Sequence, residues 1–176
     1  MNGTIQISAR ERDLIVAIHE AGHAVACVRL GVPFSHVAIA REGGGGVETG
    51  ALCRPKCAQE HEPYAQRCRA QAIVAFAGPI AEARALRDGI TAAVGLSSGR
   101  KDERDTRYFV REMIEARGEA VADVDELPRL LVEELAALHG EAEALVEAEF
   151  ALIERVARSL AEAGRLTRDE VMGVLG

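Results

Sequence analysis

The sequence contains no tryptophan, and aromatic residues make up only 3% of a chain that is 48% hydrophobic. Its core must therefore be built from alanine, leucine, valine and isoleucine, a composition that favours helices. At 176 residues the chain is long enough for one hydrophobic core and short for two. We therefore expect a single, mainly α-helical domain that spans residues 1–176.

Clusters of lysine and arginine are also missing, and the formal net charge is −7. This charge has the wrong sign for binding nucleic acids or anionic membranes, so neither is expected as a partner. No apolar run approaches the roughly 20 residues that span a bilayer, and residues 1–13 lack the basic-then-apolar plan of a signal peptide. We therefore expect a soluble, cytoplasmic protein with reduced cysteines.

Local patterns predict the helices and one small β-hairpin near residues 36–52. A capping box formed by Ser8 and Glu11, together with a stop at Gly31, predicts a helix over residues 8–30. Alternation in HVAIA and the glycines before VETGAL predict the hairpin. Helical periodicity covers residues 62–76, 79–87, 102–117 and 126–163, and a short capped helix follows Thr167. Gly78 and Pro79 are expected to separate the second helix from the third.

The first predicted helix contains the sequence HEAGH. Residues four apart lie on one face of a helix, so His19 and His23 can direct two imidazole nitrogens at one metal ion. Glu20 is close enough in angle to reach a metal-bound water without being a ligand. This is the HExxH pattern of zinc hydrolases, in which zinc acts as a Lewis acid and the glutamate removes a proton from water.

Apolar residues surround this motif on nearly every side of the helix, which predicts that it is buried. Buried polar groups without partners would cost a few kcal/mol, so the fold must supply partners or a metal. The alternative is that core hydrogen bonds satisfy both histidines and that the motif arose by chance. Gly22 costs about 1 kcal/mol inside a helix, which predicts the close approach of another backbone or of substrate.

A catalytic zinc usually has three protein ligands and one position for water. Spacing alone does not choose the third ligand among the candidates Glu82, Asp102, Asp105, His36 and His61. Asp102 could instead be a helix N-cap, and Glu82 could be a solvated carboxylate. The residues after His23 lack the HExxHxxGxxH extension, which excludes one large class of zinc proteases.

Five segments follow one another in an order known from one family. They are HEAGHAV, HVAIAREGGGGVETG, AGPIAEARAL, SSGRKDERDTRYFVREMI and ALIERVARSLAEAGRLTRDEV. They resemble, in turn, the metal helix, the strand and hairpin, the LGGRAAEE segment, the SGASNDLERATEIARRMV segment and the C-terminal helix pair of the FtsH peptidase domain. The FtsH family comprises membrane-bound, ATP-dependent zinc proteases. The resemblance covers residues 8–171.

The resemblance implies a ligand set for the metal. Asp102 falls on the aspartate of the family's SNDLERA segment, so it would be the third zinc ligand beside His19 and His23. If the loop before Asp102 is aligned differently with the family's segment, Asp105 would be the third zinc ligand instead. Glu82 would hold a histidine ring through its other nitrogen.

The resemblance also implies a function, a zinc-dependent metalloendopeptidase with Glu20 as general base. The chain contains neither the transmembrane anchor nor the ATPase module of the family, so we expect a stand-alone peptidase domain. It would cleave peptides or unfolded segments, and an ATPase on a separate chain could be its partner. The oligomeric state stays open. Two alternatives also stay open: a non-catalytic protein-binding module with a structural or vestigial metal site, and a hydrolase of non-peptide amides.

A second, structural zinc site is an alternative role for Cys53, Cys57, His61 and Cys68. Their loose spacing is weaker than paired CxxC motifs, so we prefer reduced thiols. Cys27 is expected to be a small core residue. Other divalent metals can also occupy a site of two histidines and one carboxylate.

Overall fold

The computed structural model describes residues 9–39, 46–48, 61–91, 99–117 and 126–176. Within these ranges the chain forms five helices and three short strands. In order they are α1 (Ala9–Arg29), β1 (His36–Ala38), β2 (Gly46–Glu48), α2 (His61–Arg87), α3 (Gly99–Ala116), α4 (Glu126–Ala163), β3 (Arg165–Thr167) and α5 (Arg168–Leu175). The prediction of a mainly α-helical fold with one small sheet is confirmed.

The sheet is antiparallel and has the strand order β2-β1-β3. Val37 in β1 pairs with Val47 in β2 and with Leu166 in β3. The pairing of β1 with β2 agrees with the predicted hairpin, but the sequence analysis missed β3. That strand has only three residues between two helices, too few to show an alternating pattern. It brings the chain back to β1 directly after α4.

Helix α2 is continuous from His61 to Arg87, so the prediction of two helices separated at Gly78 and Pro79 is wrong. Proline removes a backbone donor and usually kinks or breaks a helix interior, at a cost of about 3 kcal/mol. Here α2 packs against α1, α3 and α4, and this tertiary packing overrides the local preference. Helix α4 likewise continues through Gly140.

Two clusters of buried apolar side chains lie on either side of α2. The first joins α1, α2, α4 and the sheet and includes Val25, Val37 and Ile153. The second joins α2, α3 and the first half of α4 and includes Met113 and Leu138. The first cluster packs α1 against the C-terminal half of α2, and the second packs the C-terminal half of α3 against the N-terminal half of α2.

The predicted stop of α1 at Gly31 and the predicted cap of α5 at Thr167 are confirmed, whereas α3 begins at Gly99, three residues before the predicted start at residue 102. Gly31 follows α1 with φ 68°, a left-handed conformation that suits glycine. Thr167 and Glu170 form a capping box at the start of α5. Ser8, the predicted cap of α1, lies outside the described residues. Among the described helices, none is both long and apolar enough to cross a lipid bilayer.

Candidate metal centre

Three of the residues singled out in the sequence meet at one buried point. His19 and His23 lie on consecutive turns of α1, and their Nε2 atoms are 3.0 Å apart. Asp102, in the first turn of α3, places Oδ2 3.1 Å from Nε2 of His19 and Oδ1 3.6 Å from Nε2 of His23. His19 is 3% exposed and His23 8%. The three side chains form a group that can hold a metal ion.

The outer nitrogen of each histidine is fixed by a residue of α2. Nδ1 of His23 donates a hydrogen bond of 2.7 Å to the carbonyl oxygen of Val74. Nδ1 of His19 lies 3.0 Å from Oε2 of Glu82. Because both partners accept hydrogen bonds, a neutral ring carries its proton on Nδ1 and directs the lone pair of Nε2 inward. This arrangement is typical of metal-binding histidines.

The charges around this point shift the three pKa values in different directions. Burial lowers the pKa of His19, but the contacts with Asp102 and Glu82 and the charge of Glu20 outweigh it and raise the pKa to about 9. Burial and the charge of His19 lower the pKa of His23 to about 4. Burial opposes ionisation of Asp102, yet the contact with His19 and the charges of both histidines lower its pKa. At neutral pH the additional proton therefore belongs to His19, whose Nε2–H faces Nε2 of His23 at the point where a cation would replace it.

Two observations support the fit of a metal ion at this point. Oδ2 of Asp102 is buried, and within the described part of the chain it forms no hydrogen bond of normal geometry, although Nε2 of His19 lies 3.1 Å away. A buried carboxylate oxygen normally has a partner, and a cation would provide one. The second observation is the space left by Gly78, where a Cβ atom would lie 2.5 Å from Nε2 of His23 and 2.9 Å from Nε2 of His19.

Gly78 is the site residue that the sequence analysis missed, because it was interpreted only as a helix breaker. A signal was available in the spacing of α2. Val74, Gly78 and Glu82 are four residues apart, so on a continuous helix they form one stripe that faces the imidazoles. If Glu82 contacts a histidine ring, the residue one helical turn before it, Gly78, faces the same rings and must have a small side chain.

Gly22 allows α1 and α2 to approach each other closely. A Cβ atom at this position would lie 2.7 Å from the carbonyl oxygen of Ala77 and 2.9 Å from Cβ of Ala81. Of the two predicted causes, the structure therefore shows the approach of another backbone. Because the two helices are this close, residues of α2 can contact the histidines of α1.

Glu20 is 4% exposed and lies on α1 next to His19. Its negative charge contributes to the raised pKa of His19, so the carboxylate lies near the three converging side chains. It does not belong to the group that can hold the metal ion. Its role beside a metal-bound water stays a prediction.

The other candidate ligands lie elsewhere or outside the described residues. Asp105 is partly exposed and pairs with Lys101 at 3.3 Å. His36 lies in β1, where Nδ1 is 2.9 Å from Oγ of Ser35. Cys68 is buried in the cluster between α2 and α3, and Cys27 is buried on α1, as expected for a core residue. Cys53, Cys57 and the side chain of His61 lie outside the described residues, so the possible cysteine site stays a prediction.

No family model matches the chain, and no curated protein is similar to it. The geometry of His19, His23 and Asp102 is therefore the structural basis on which a function can be proposed.

Proposed function

We propose that this protein is a zinc-dependent endopeptidase. The observation that carries the proposal is the buried convergence of His19, His23 and Asp102, with the non-ligand Glu20 beside them. Two histidines, one carboxylate and an adjacent glutamate are the ligands and the general base of a large group of zinc hydrolases. The resemblance of five segments to the FtsH peptidase domain supports peptides as the substrate.

The distances between the candidate ligand atoms suit zinc. Two nitrogens at about 2.0–2.1 Å from a tetrahedral zinc lie about 3.3 Å from each other. The two Nε2 atoms are 3.0 Å apart, and they lie 3.1 and 3.6 Å from the carboxylate oxygens of Asp102. These distances are close to the separation of about 3.3 Å expected around zinc. Three protein ligands leave the fourth position of a tetrahedral site for water. When bound, the zinc would supply the positive charge that acidifies this water and polarises the scissile carbonyl.

Other residues of the chain position the imidazoles and transfer the proton. Glu82 and the carbonyl of Val74 hold the imidazoles, so that both Nε2 atoms present lone pairs at one point. Glu20 accepts the proton of the attacking water and passes it to the leaving amine as the peptide bond breaks. Its burial keeps the carboxylate away from bulk water, which would otherwise compete for the proton.

The sheet offers a way to bind the substrate backbone. β2 lies at one edge of the order β2-β1-β3, and within the described residues it pairs on one side only. An extended peptide can add to such an edge as a further strand. We therefore propose peptides and unfolded segments as substrates, because a folded protein does not present an extended backbone.

Glu20→Gln tests the proposal directly. It removes the base and leaves the three ligands in place, so zinc content should be unchanged while peptide cleavage falls by at least about 100-fold. The matched control is Glu162→Gln, at an exposed position of α4, which should retain full activity. Undiminished cleavage by a zinc-loaded Glu20→Gln variant would contradict the assigned role.

A further inference from the structure

Proline at position 79 removes one hydrogen bond from the interior of α2. In an α-helix the N–H of each residue donates to the carbonyl oxygen four residues before it, and a proline has no N–H. The carbonyl oxygen of Ala75 therefore lacks this donor, although the helix continues to Arg87. A backbone acceptor without its helix partner pairs with water, with another group of the protein or with a ligand.

Ala75 and Pro79 both line a groove of about 1060 Å³ between α2, the first turns of α3 and the middle of α4. Its wall is mostly apolar and includes Phe76, Ile80 and Leu135. Sites for small molecules typically have volumes of about 300–1,000 Å³ and an apolar lining with a few polar groups. The size and the lining of this groove are therefore those of a small-molecule site.

The groove is a separate site from the metal centre, although Asp102 belongs to both. The stripe of α2 that faces the imidazoles consists of Val74, Gly78 and Glu82, and none of these residues lines the groove. Ile80 lines it and is turned by about 200° around the helix from Gly78. A ligand in the groove therefore lies against another face of α2 than the one that meets the histidines.

Two polar groups of the groove wall can accept a hydrogen bond but cannot donate one. The first is the carbonyl of Ala75 on α2. The second is the hydroxyl of Thr106 on α3, which is 2% exposed and donates its only proton to the carbonyl oxygen of Asp102 at 2.7 Å. Its oxygen keeps lone pairs that can accept. The ligand that complements these groups carries an N–H or O–H donor.

The charged side chains at the rim of the groove pair with one another. Arg84 donates hydrogen bonds to Asp88, at 2.6 Å, and to Glu147. Arg107 donates a hydrogen bond of 3.0 Å to Glu103. Since these arginines already have carboxylate partners, the occupant that complements the charge of the rim is uncharged.

We propose that this groove binds an uncharged, apolar small molecule that donates a hydrogen bond to the carbonyl oxygen of Ala75. Pro79 contributes to this site because it leaves that oxygen available to the ligand. The site is independent of the proposed peptidase activity, and so is its test.

Indole and 1-methylindole are suitable probes, because they share an apolar ring system and differ in the N–H donor. The chain contains no tryptophan, so the fluorescence of the probes reports binding without a tryptophan background from the protein. Each probe is titrated with the native chain. Indole should bind at least about fivefold more tightly, because 1-methylindole would cover the carbonyl of Ala75 without pairing with it.

Pro79→Ala supplies the missing N–H, which then donates to the carbonyl oxygen of Ala75. The preference for indole should fall below about twofold, and the thermal midpoint should rise, because alanine favours a helix interior over proline. Pro128→Ala is the matched control. Pro128 is exposed in the first turn of α4, where a missing N–H removes no helix hydrogen bond, and it does not line the groove. This variant should keep the preference.

A second pair of variants tests the location. Ala136 is exposed and lines the groove, so Ala136→Phe should weaken the binding of both probes at least about fivefold. Ala137, the next residue of α4, is exposed and does not line the groove, so Ala137→Phe should bind both probes like the native chain.

Four results would overturn the proposal. They are equal affinities of the native chain for the two probes, no saturable binding of either probe, an undiminished preference in Pro79→Ala, and equal effects of the two phenylalanine variants. Sedimentation showing a native dimer that Ala136→Phe dissociates would also overturn it, because the groove would then bind a second copy of the chain.

Discussion

Gly78→Ala should abolish tight metal binding while the helices stay intact. The added Cβ would lie 2.5 Å from Nε2 of His23, 2.6 Å from Cε1 of the same ring and 2.9 Å from Nε2 of His19. Ordinary contacts begin at 3.4 Å, so the ring of His23 would have to move by about 0.9 Å. Metal–ligand distances tolerate only about 0.2 Å. At least one imidazole would therefore leave the coordination sphere.

The expected loss of zinc affinity is at least about 100-fold, or about 2.7 kcal/mol, since even residues that only orient a ligand contribute 10–100-fold. Helix propensity acts in the opposite direction, because alanine favours a helix over glycine by about 1 kcal/mol. Competition with a chelator measures the affinity, and circular dichroism verifies the helices.

Gly140→Ala is the matched control for this experiment. Gly140 also lies inside a helix, but a Cβ there would meet nothing within 4 Å. This variant should bind zinc like the native chain. Native zinc affinity in Gly78→Ala would refute the conclusion that this glycine makes room for the ligands.

Two further predictions concern the surroundings of the ligands. Glu82→Gln should weaken zinc binding by about 10–100-fold, because the amide holds the ring of His19 less firmly than the carboxylate 3.0 Å from Nδ1; chelator competition measures this, and native affinity would contradict it. Because the pKa of His19 is raised to about 9, a metal must displace a proton at neutral pH. Zinc binding at pH 7 should therefore release about one proton and should weaken as the pH falls further below 9. Calorimetry in buffers of different ionisation enthalpy tests this, and a buffer-independent heat would contradict it.

The sequence predicted the parts of the site that depend on local spacing. His19, Glu20 and His23 lie within five residues of one helix, so a period of 3.6 residues is enough to place them on neighbouring faces. The capping box at Thr167 is equally local, since its two side chains are three residues apart. Such features follow from backbone geometry and need no knowledge of the rest of the fold.

The parts that depend on tertiary packing were not determined by spacing. Asp102 approaches His19 across 83 positions of the sequence, and spacing alone could not prefer it to Asp105. Helix α2 continues through Pro79 because three other helices pack against it, and no local pattern reports that support. The role of Gly78 could be recognised only after α2 was known to be continuous, because only a continuous helix places this residue on the face that meets the imidazoles.

Metal content measured by mass spectrometry is the most direct test of the central claim. The native chain is purified without chelator and compared with Asp102→Ala and with Asp105→Ala, a control on the same helix whose carboxylate pairs with Lys101. We predict one zinc per chain in the native protein and in Asp105→Ala, and loss of zinc in Asp102→Ala. A native chain that contains no metal and takes up none when zinc is added would contradict the account.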